Sequence, residues 1–302
     1  MTETEQERLQ GYLEDRKTMV DRALDRYLPA AGSYPPVIFE ASRYSLFAGG
    51  KRIRPILCIA AAEALGGRID AVLPAACALE MIHTYSLIHD DLPAMDDDAL
   101  RRGKPTNHMV YGEGIAVLAG DALLTDAFRL IADEGAVSGA DPGDLLSVIN
   151  EIARAAGYFG MIGGQAVDLD SEGKGVDYET LQYIHRHKTA ALITVSLRAG
   201  GILAGGTPRK LSALTAYGEN IGLLFQIVDD ILNVEGDAVL MGKETGSDRK
   251  RGKATYPSIV GMEPARRKAA ELVVSALASL TSFDDRAEPL RLIARHMMER
   301  KT

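Results

Sequence analysis

Five aspartates fall within nine residues at Asp90-Asp91-Leu-Pro-Ala-Met-Asp96-Asp97-Asp98, and Arg101-Arg102 follow at once. A second pair, Asp229-Asp230, ends another long apolar run at Phe225-Gln226-Ile-Val-Asp229-Asp230-Ile-Leu-Asn233, so each cluster is expected at the end of a buried helix. Carboxylates this close repel one another unless cations sit between them. Mg²⁺ takes about six oxygens near 2.1 Å, commonly a few carboxylates completed by water and phosphate oxygens. Acidic runs are ordinarily solvated surface, but each of these follows sequence apolar enough to enter a core. The two clusters therefore predict a site for several Mg²⁺ ions and a polyanionic ligand.

Spacing refines this. Residues four apart share a helix face, so Asp229 and Asn233 fit one face, and Asp237 extends it if the helix continues. Pro93 should end the first helix near Asp91, so that Asp96 returns from a loop. Basic residues alternate with the acidic ones. Gly49-Gly50-Lys51-Arg52-Ile-Arg54 puts three cations in four residues behind a glycine pair, a plausible cradle for diphosphate oxygens. Arg101 and Arg102 follow the first cluster closely enough to share its ligand. Lys188-Thr189 lies within a helical pattern, and Lys243 and Lys253 flank a glycine-rich polar loop after the second cluster.

The elements that must hold these groups read as helices. Apolar periodicity predicts helices over 5–27, 70–91, 143–169, 178–204 and 209–234, with strand signals scarce. The stretch 70–91 is apolar on nearly all sides, which suggests a central buried helix. A polar segment from 235 to 252 is too long for a typical connection and is a candidate active-site loop. No repeat or linker divides the 302 residues, so one all-α domain over 1–302 is expected to bring the clusters together. A net charge of −8 argues against nucleic acid as a partner. Cys58 and Cys77 sit in apolar patterns and read as buried small residues. An acidic N-terminus without an apolar leader, and no apolar stretch suited to spanning a bilayer, predict a cytoplasmic protein.

Several motifs in order resemble the short-chain trans-prenyl diphosphate synthases, most of all the bacterial farnesyl diphosphate synthases. They are Gly49-Gly-Lys-Arg-Ile-Arg-Pro55, His83-Thr-Tyr-Ser-Leu-Ile-His-Asp90-Asp-Leu-Pro-Ala-Met-Asp96, Arg101-Arg-Gly-Lys-Pro-Thr106, Gly163-Gly-Gln-Ala-Val-Asp168, Phe225-Gln-Ile-Val-Asp-Asp230 and Lys253-Ala-Thr-Tyr-Pro257. The resemblance implies a homodimer of long-helix bundles, each around a central cavity. It also implies a reaction in which an allylic diphosphate ionises with the help of Mg²⁺ (three ions, Mn²⁺ as a substitute) and is attacked by isopentenyl diphosphate. On matching positions, Asp90, Asp96 and Asp229 would be metal ligands, with Asp91 and Asp230 in support. Arg101, Lys188, Gln226, Lys243 and Lys253 would hold the allylic diphosphate. Gly50, Lys51, Arg54, His83 and Arg102 would hold isopentenyl diphosphate, and Thr189 would steady the developing cation. Asn233 stands where the family usually has aspartate, which puts its metal role in doubt.

The same resemblance makes Tyr85, with Ser86 beside it, the ruler of product length. A helix rises about 1.5 Å per residue, so Tyr85 lies about 7 Å before Asp90, and a bulky side chain there predicts a C15 product. The competing readings are a geranylgeranyl diphosphate synthase, a class I terpene cyclase and a non-catalytic synthase subunit. A cyclase would leave Gly50, Lys51, Arg54 and Arg102 unexplained, and a non-catalytic subunit would have eroded aspartate motifs.

Overall fold

The computed structural model describes residues 1–235 and 254–299. In chain order its helices are α1 (Glu3–Tyr27), α2 (Pro36–Leu46), α3 (Ile53–Ala64), α4 (Ile69–Asp90), α5 (Asn107–Tyr111), α6 (Glu113–Val137), α7 (Pro142–Ala156) and α8 (Met161–Asp170). Then come α9 (Tyr178–Ile184), a π-helical segment (His185–Ala190), α10 (Ala191–Leu203), α11 (Pro208–Glu235), α12 (Tyr256–Val260), α13 (Met262–Ser279) and α14 (Glu288–Glu299). The strands are a two-residue pair, β1 (Leu100–Arg101) and β2 (Lys104–Pro105), joined as a hairpin. The expected all-α architecture is what the chain adopts.

Helix α4 organises the rest. Its small and aliphatic residues face every direction, and those from Val72 to Ile82 are all buried. By length and composition alone it could cross a membrane, yet 83% of its most apolar window is buried within the protein. Helices α3, α6 and α10 supply that burial, and α10 is itself flanked by α7 and α11. A second apolar cluster joins α11, α13 and α14 to α3 and to the start of α1. Thr2 and Glu5 form a capping box that starts α1, satisfying donors that a helix N-terminus leaves open. Cys58 and Cys77 are free and buried, and burial pushes the Cys58 thiol up to about 12.

Two expectations need correction. The periodicity over 143–169 predicts one helix, but the chain breaks it into α7 and α8 at the glycine-bounded corner 157–160. That corner swings α8 inward, against the π-helical segment. The second acidic pair does not end its helix either, because α11 continues to Glu235. The stretch 178–204 is continuous but not uniform, since six residues widen to π-helix at His185–Ala190. Such bulges commonly sit at functional sites, and this one carries Lys188 and Thr189.

Gly164 permits the contact between α8 and that bulge. A Cβ at this position would lie 2.3 Å from the backbone nitrogen of Lys188, a distance no side chain occupies without moving backbone. Gly164→Ala is expected to cost about 1–3 kcal/mol through this overpacking, read as a lower urea midpoint. An unchanged midpoint would mean that the two segments are free to part.

Candidate active site

A cavity of about 370 Å³ opens between α4, α8 and the π-helical segment. Tyr85, Ser86, His89 and Asp90 line it from α4, Met161, Ile162, Gln165 and Leu169 from α8, and Lys188 and Thr189 from the bulge. Arg54 and His83 line it too. Its wall is therefore largely apolar with a few charged groups, the pattern of a site for a ligand with a polar head and an apolar tail.

The first acidic cluster sits where α4 stops. Beyond Asp90 the chain folds back on itself. Asp96 donates its N–H to the Asp90 carbonyl at 2.8 Å, and Asp98 donates to that of Asp91 at 3.2 Å. Asp96 thus returns from a loop, as Pro93 predicts. Burial, together with the charges of Asp96 and Asp91, pushes the Asp90 carboxyl up to about 6 despite Lys188 and Arg101 nearby. Asp91 differs. It is only 3% exposed, and it accepts Arg101 Nε on both oxygens, at 2.7 and 2.9 Å.

The hairpin explains why two adjacent arginines part. Arg102 and Gly103 both have positive φ (53° and 74°), the backbone of a tight two-residue turn. Arg101, on the strand, reaches Asp91. Arg102, in the turn, bonds the Gly49 carbonyl and packs over Gly50, where a Cβ would come within 2.7 Å of its guanidinium. Gly50 therefore has to be glycine both for its φ of 127° and for this approach. Burial and the neighbouring Arg102 push the Arg54 guanidinium down to about 10. Burial, Arg54 and Arg102 hold the His83 imidazole well below its usual range, and so neutral. These cations repel one another, as the aspartates do, and an anion would relieve them.

Arg52 is not part of that cradle. It takes a left-handed backbone (φ 52°), turns inward and is 3% exposed. Its guanidinium bonds Asp21 and Glu80 at 2.8 Å each and the Leu46 carbonyl at 2.7 Å. Of the three cations expected together, this one is structural, while Lys51 is exposed and Arg54 faces the cavity.

The bulge links the two acidic clusters. Lys188 Nζ bonds Asp168 at 2.6 Å and is close enough to Asp90 to lower its pKa. Thr189 Oγ1 donates to Gln226 Oε1 at 2.8 Å, and Asp229 lies three residues further along α11. Asp229 is half-buried, whereas Asp230 is 5% exposed and accepts the Tyr256 backbone N–H at 2.7 Å. Lys243, Lys253 and Asp237 lie outside the described residues. Asp168, Gln165 and His89 have no assigned role in the sequence reading, though all three lie within the quoted motifs, the first two in Gly163–Asp168 and His89 just before Asp90. His89 fits because Gly120 leaves it room, and its Nε2 meets the Val117 carbonyl at 3.0 Å.

Among the described residues, no three His, Cys, Asp or Glu side chains gather closely enough to chelate a cation unaided. The donor set still fits Mg²⁺, which is commonly held by one or two carboxylates plus water and phosphate oxygens. The raised pKa of Asp90 marks a buried negative charge that the protein leaves under-compensated. In the metal-free protein this group costs stability as pH rises from its ordinary 3.8 through about 6, because the folded state holds the proton more tightly than the unfolded chain does. Asp90→Asn should therefore stabilise the metal-free protein above pH 6 by on the order of 1–3 kcal/mol and add nothing below pH 4. Denaturant melts at the two pH values check this, and an equal effect at both would remove the electrostatic cause.

A family model described as Polyprenyl synthetase matches residues 35–288. Geranylgeranyl diphosphate synthase of Cyanophora paradoxa is 48% identical over 291 residues, covering 96% of this chain and 95% of that one. Farnesyl diphosphate synthase of Geobacillus stearothermophilus is 46% identical over 278 residues, covering 91% and 92%. Among solved structures, an FPP/GFPP synthase from Zymomonas mobilis matches with a TM-score of 0.84 at 37% identity, over 99% of this chain and 100% of that one. The similarity spans the cavity and both acidic clusters, and the chain belongs to the polyprenyl synthetase family.

Proposed function

We propose that this protein is a trans-prenyltransferase that condenses isopentenyl diphosphate with dimethylallyl and then geranyl diphosphate, giving farnesyl diphosphate and pyrophosphate. The observation that carries this reading is the placing of carboxylates at Asp90 and cations at Arg54 and Arg102 by one largely apolar cavity, whose wall includes Asp90 and Arg54. A terpene cyclase needs only one diphosphate site and leaves the second cluster idle.

Asp90, Asp96 and Asp229 would hold Mg²⁺, which would supply positive charge that makes the allylic diphosphate a better leaving group. The chain's own residues do the rest. Lys188 and Arg101 hold the allylic diphosphate as its C–O bond breaks and the electron pair leaves with pyrophosphate. Arg101 reaches that diphosphate while paired to Asp91, which fixes its orientation. Arg54, Arg102 and Lys51 hold isopentenyl diphosphate, with neutral His83 beside them, so that its double bond can form the new C–C bond. The proton that then leaves goes to the departing pyrophosphate. Thr189 presents its hydroxyl oxygen to the developing cation. Large apolar side chains left exposed at Leu118 on α6, Leu146 on α7 and Tyr158 and Phe159 in the corner after it support assembly as a homodimer.

Product length is assigned to Tyr85. It is 5% exposed and lines the cavity five residues before Asp90, its ring edge-on to His89. Its hydroxyl is buried without a hydrogen-bond partner among the described residues, so the side chain is held by packing, as a stop would be. The C20 alternative stands beside this because a relative bearing that product's name is as similar as one named for C15.

Incubation with Mg²⁺, isopentenyl diphosphate and dimethylallyl or geranyl diphosphate, followed by chromatography, should give a C15 product. Tyr85→Ala should shift it to C20 or longer. A C20 product from the unaltered protein would replace the chain-length reading, and no elongated product from any primer would overturn the reaction itself.

A further inference from the structure

Asp230 stands next to a candidate metal ligand, but its carboxylate is engaged inside the protein. One oxygen accepts the Tyr256 N–H at 2.7 Å and lies 3.4 Å from His185 Nε2. The other accepts Gln226 Nε2 at 3.3 Å. These partners come from three segments: the start of α12, the π-helical bulge and α11. His185 is 4% exposed and lies nearly parallel to the Tyr256 ring. Its Nδ1 is buried with no hydrogen-bond partner among the described residues. A proton on Nδ1 would be a buried, unsatisfied donor, so the ring carries its proton on Nε2, toward Asp230.

The consequence reaches the cavity. A carboxylate can only accept, so Asp230 compels Gln226 to turn its NH₂ toward it and its oxygen toward Thr189. Thr189 must then donate, which it does at 2.8 Å. Its proton is directed away from the cavity, and the lone pairs of its oxygen are what remain for a ligand. A positive centre is stabilised by those lone pairs and destabilised by an O–H proton pointed at it.

We propose that His185 and Asp230 are positioning residues, forming with Gln226 a buried relay that fixes the polarity of the Thr189 hydroxyl. This inference rests on the condensation reaction proposed above. It assigns Asp230 to the relay rather than to the metal, and it gives a part to His185, which lies outside the cavity wall.

The isosteric variant Asp230→Asn separates the possibilities. The new amide can keep its oxygen on the Tyr256 N–H, but it presents NH₂ to Gln226, which must flip and offer NH₂ to Thr189. Turnover should fall about 10- to 100-fold while hydrogen exchange at the Tyr256 amide stays slow. Calorimetric Mg²⁺ binding in the presence of inorganic pyrophosphate should be unchanged. In a Thr189→Val background the relay has no hydroxyl to orient, so Asp230→Asn should cost less than threefold there. His185→Gln, which can still donate to Asp230, should retain more turnover than His185→Leu. Weakened Mg²⁺ binding in Asp230→Asn would make Asp230 a ligand and overturn the relay. Equal losses in the two backgrounds would overturn it as well, by reducing Asp230 to a structural tie. If the unaltered protein makes no prenyl product, the condensation reading falls and the relay with it. A relay that fails while that protein turns over leaves the reaction standing.

Discussion

A long helix with no polar face has to be surrounded, and α4 sets this constraint on the whole chain. Burying its small and aliphatic residues requires neighbours on every side, and α3, α6 and α10 provide them. Its last turns escape full enclosure, and there the side chains change character, from Met81 and Ile82 to Ser86, His89 and Asp90. The cavity lies beside those turns. A buried helix that ends in carboxylates therefore delivers charge to an apolar space without any separate device to carry it there. Burial also raises the Asp90 pKa, so packing and chemistry are consequences of one arrangement.

Basic residues show how the fold separates structural from ligand-facing charge. Arg52 and Glu80 are both nearly sealed from water. Such a pair contributes little net stability against well-packed apolar residues, but removing one partner strands the other at a cost of about 3–5 kcal/mol. Arg52 ties α3 to α1 through Asp21 and to α4 through Glu80. Two residues later Arg54 has no such carboxylate within hydrogen-bonding reach among the described residues, and its pKa is depressed rather than raised. The shifts follow the partners: Glu80 and Asp21 hold the Arg52 guanidinium above its ordinary value, whereas burial lowers that of Arg54.

Much of this was legible in the sequence. Long runs of helical periodicity gave α1, α4 and α11 within a residue or two, because local apolar spacing decides such elements. Pro93 correctly placed Asp96 on a returning loop, since proline geometry is local as well. The misreadings concern what local pattern does not contain. Nothing in the spacing of Lys51, Arg52 and Arg54 says which turns inward; Arg52 does so because Asp21 and Glu80, far away in sequence, meet it. The corner between α7 and α8 was hidden because apolar residues continue on either side of its glycines. The separate fates of Asp229 and Asp230 depend on Tyr256 arriving from beyond the segment 236–253.

A helix also serves as a scale. Tyr85 and Asp90 are fixed by the rise of α4, which no side-chain substitution alters, so the distance between the proposed ionising end and the proposed stop is a property of the backbone. Changing residue 85 changes only how much of the cavity is filled at that depth. In the proposed reaction, product length can then vary by substitution without disturbing the carboxylates that start the chemistry. That independence holds only while α4 stays rigid, and the burial of its middle turns keeps it so. The constraint that gathers the other helices around α4 is the same one that makes its length usable as a measure.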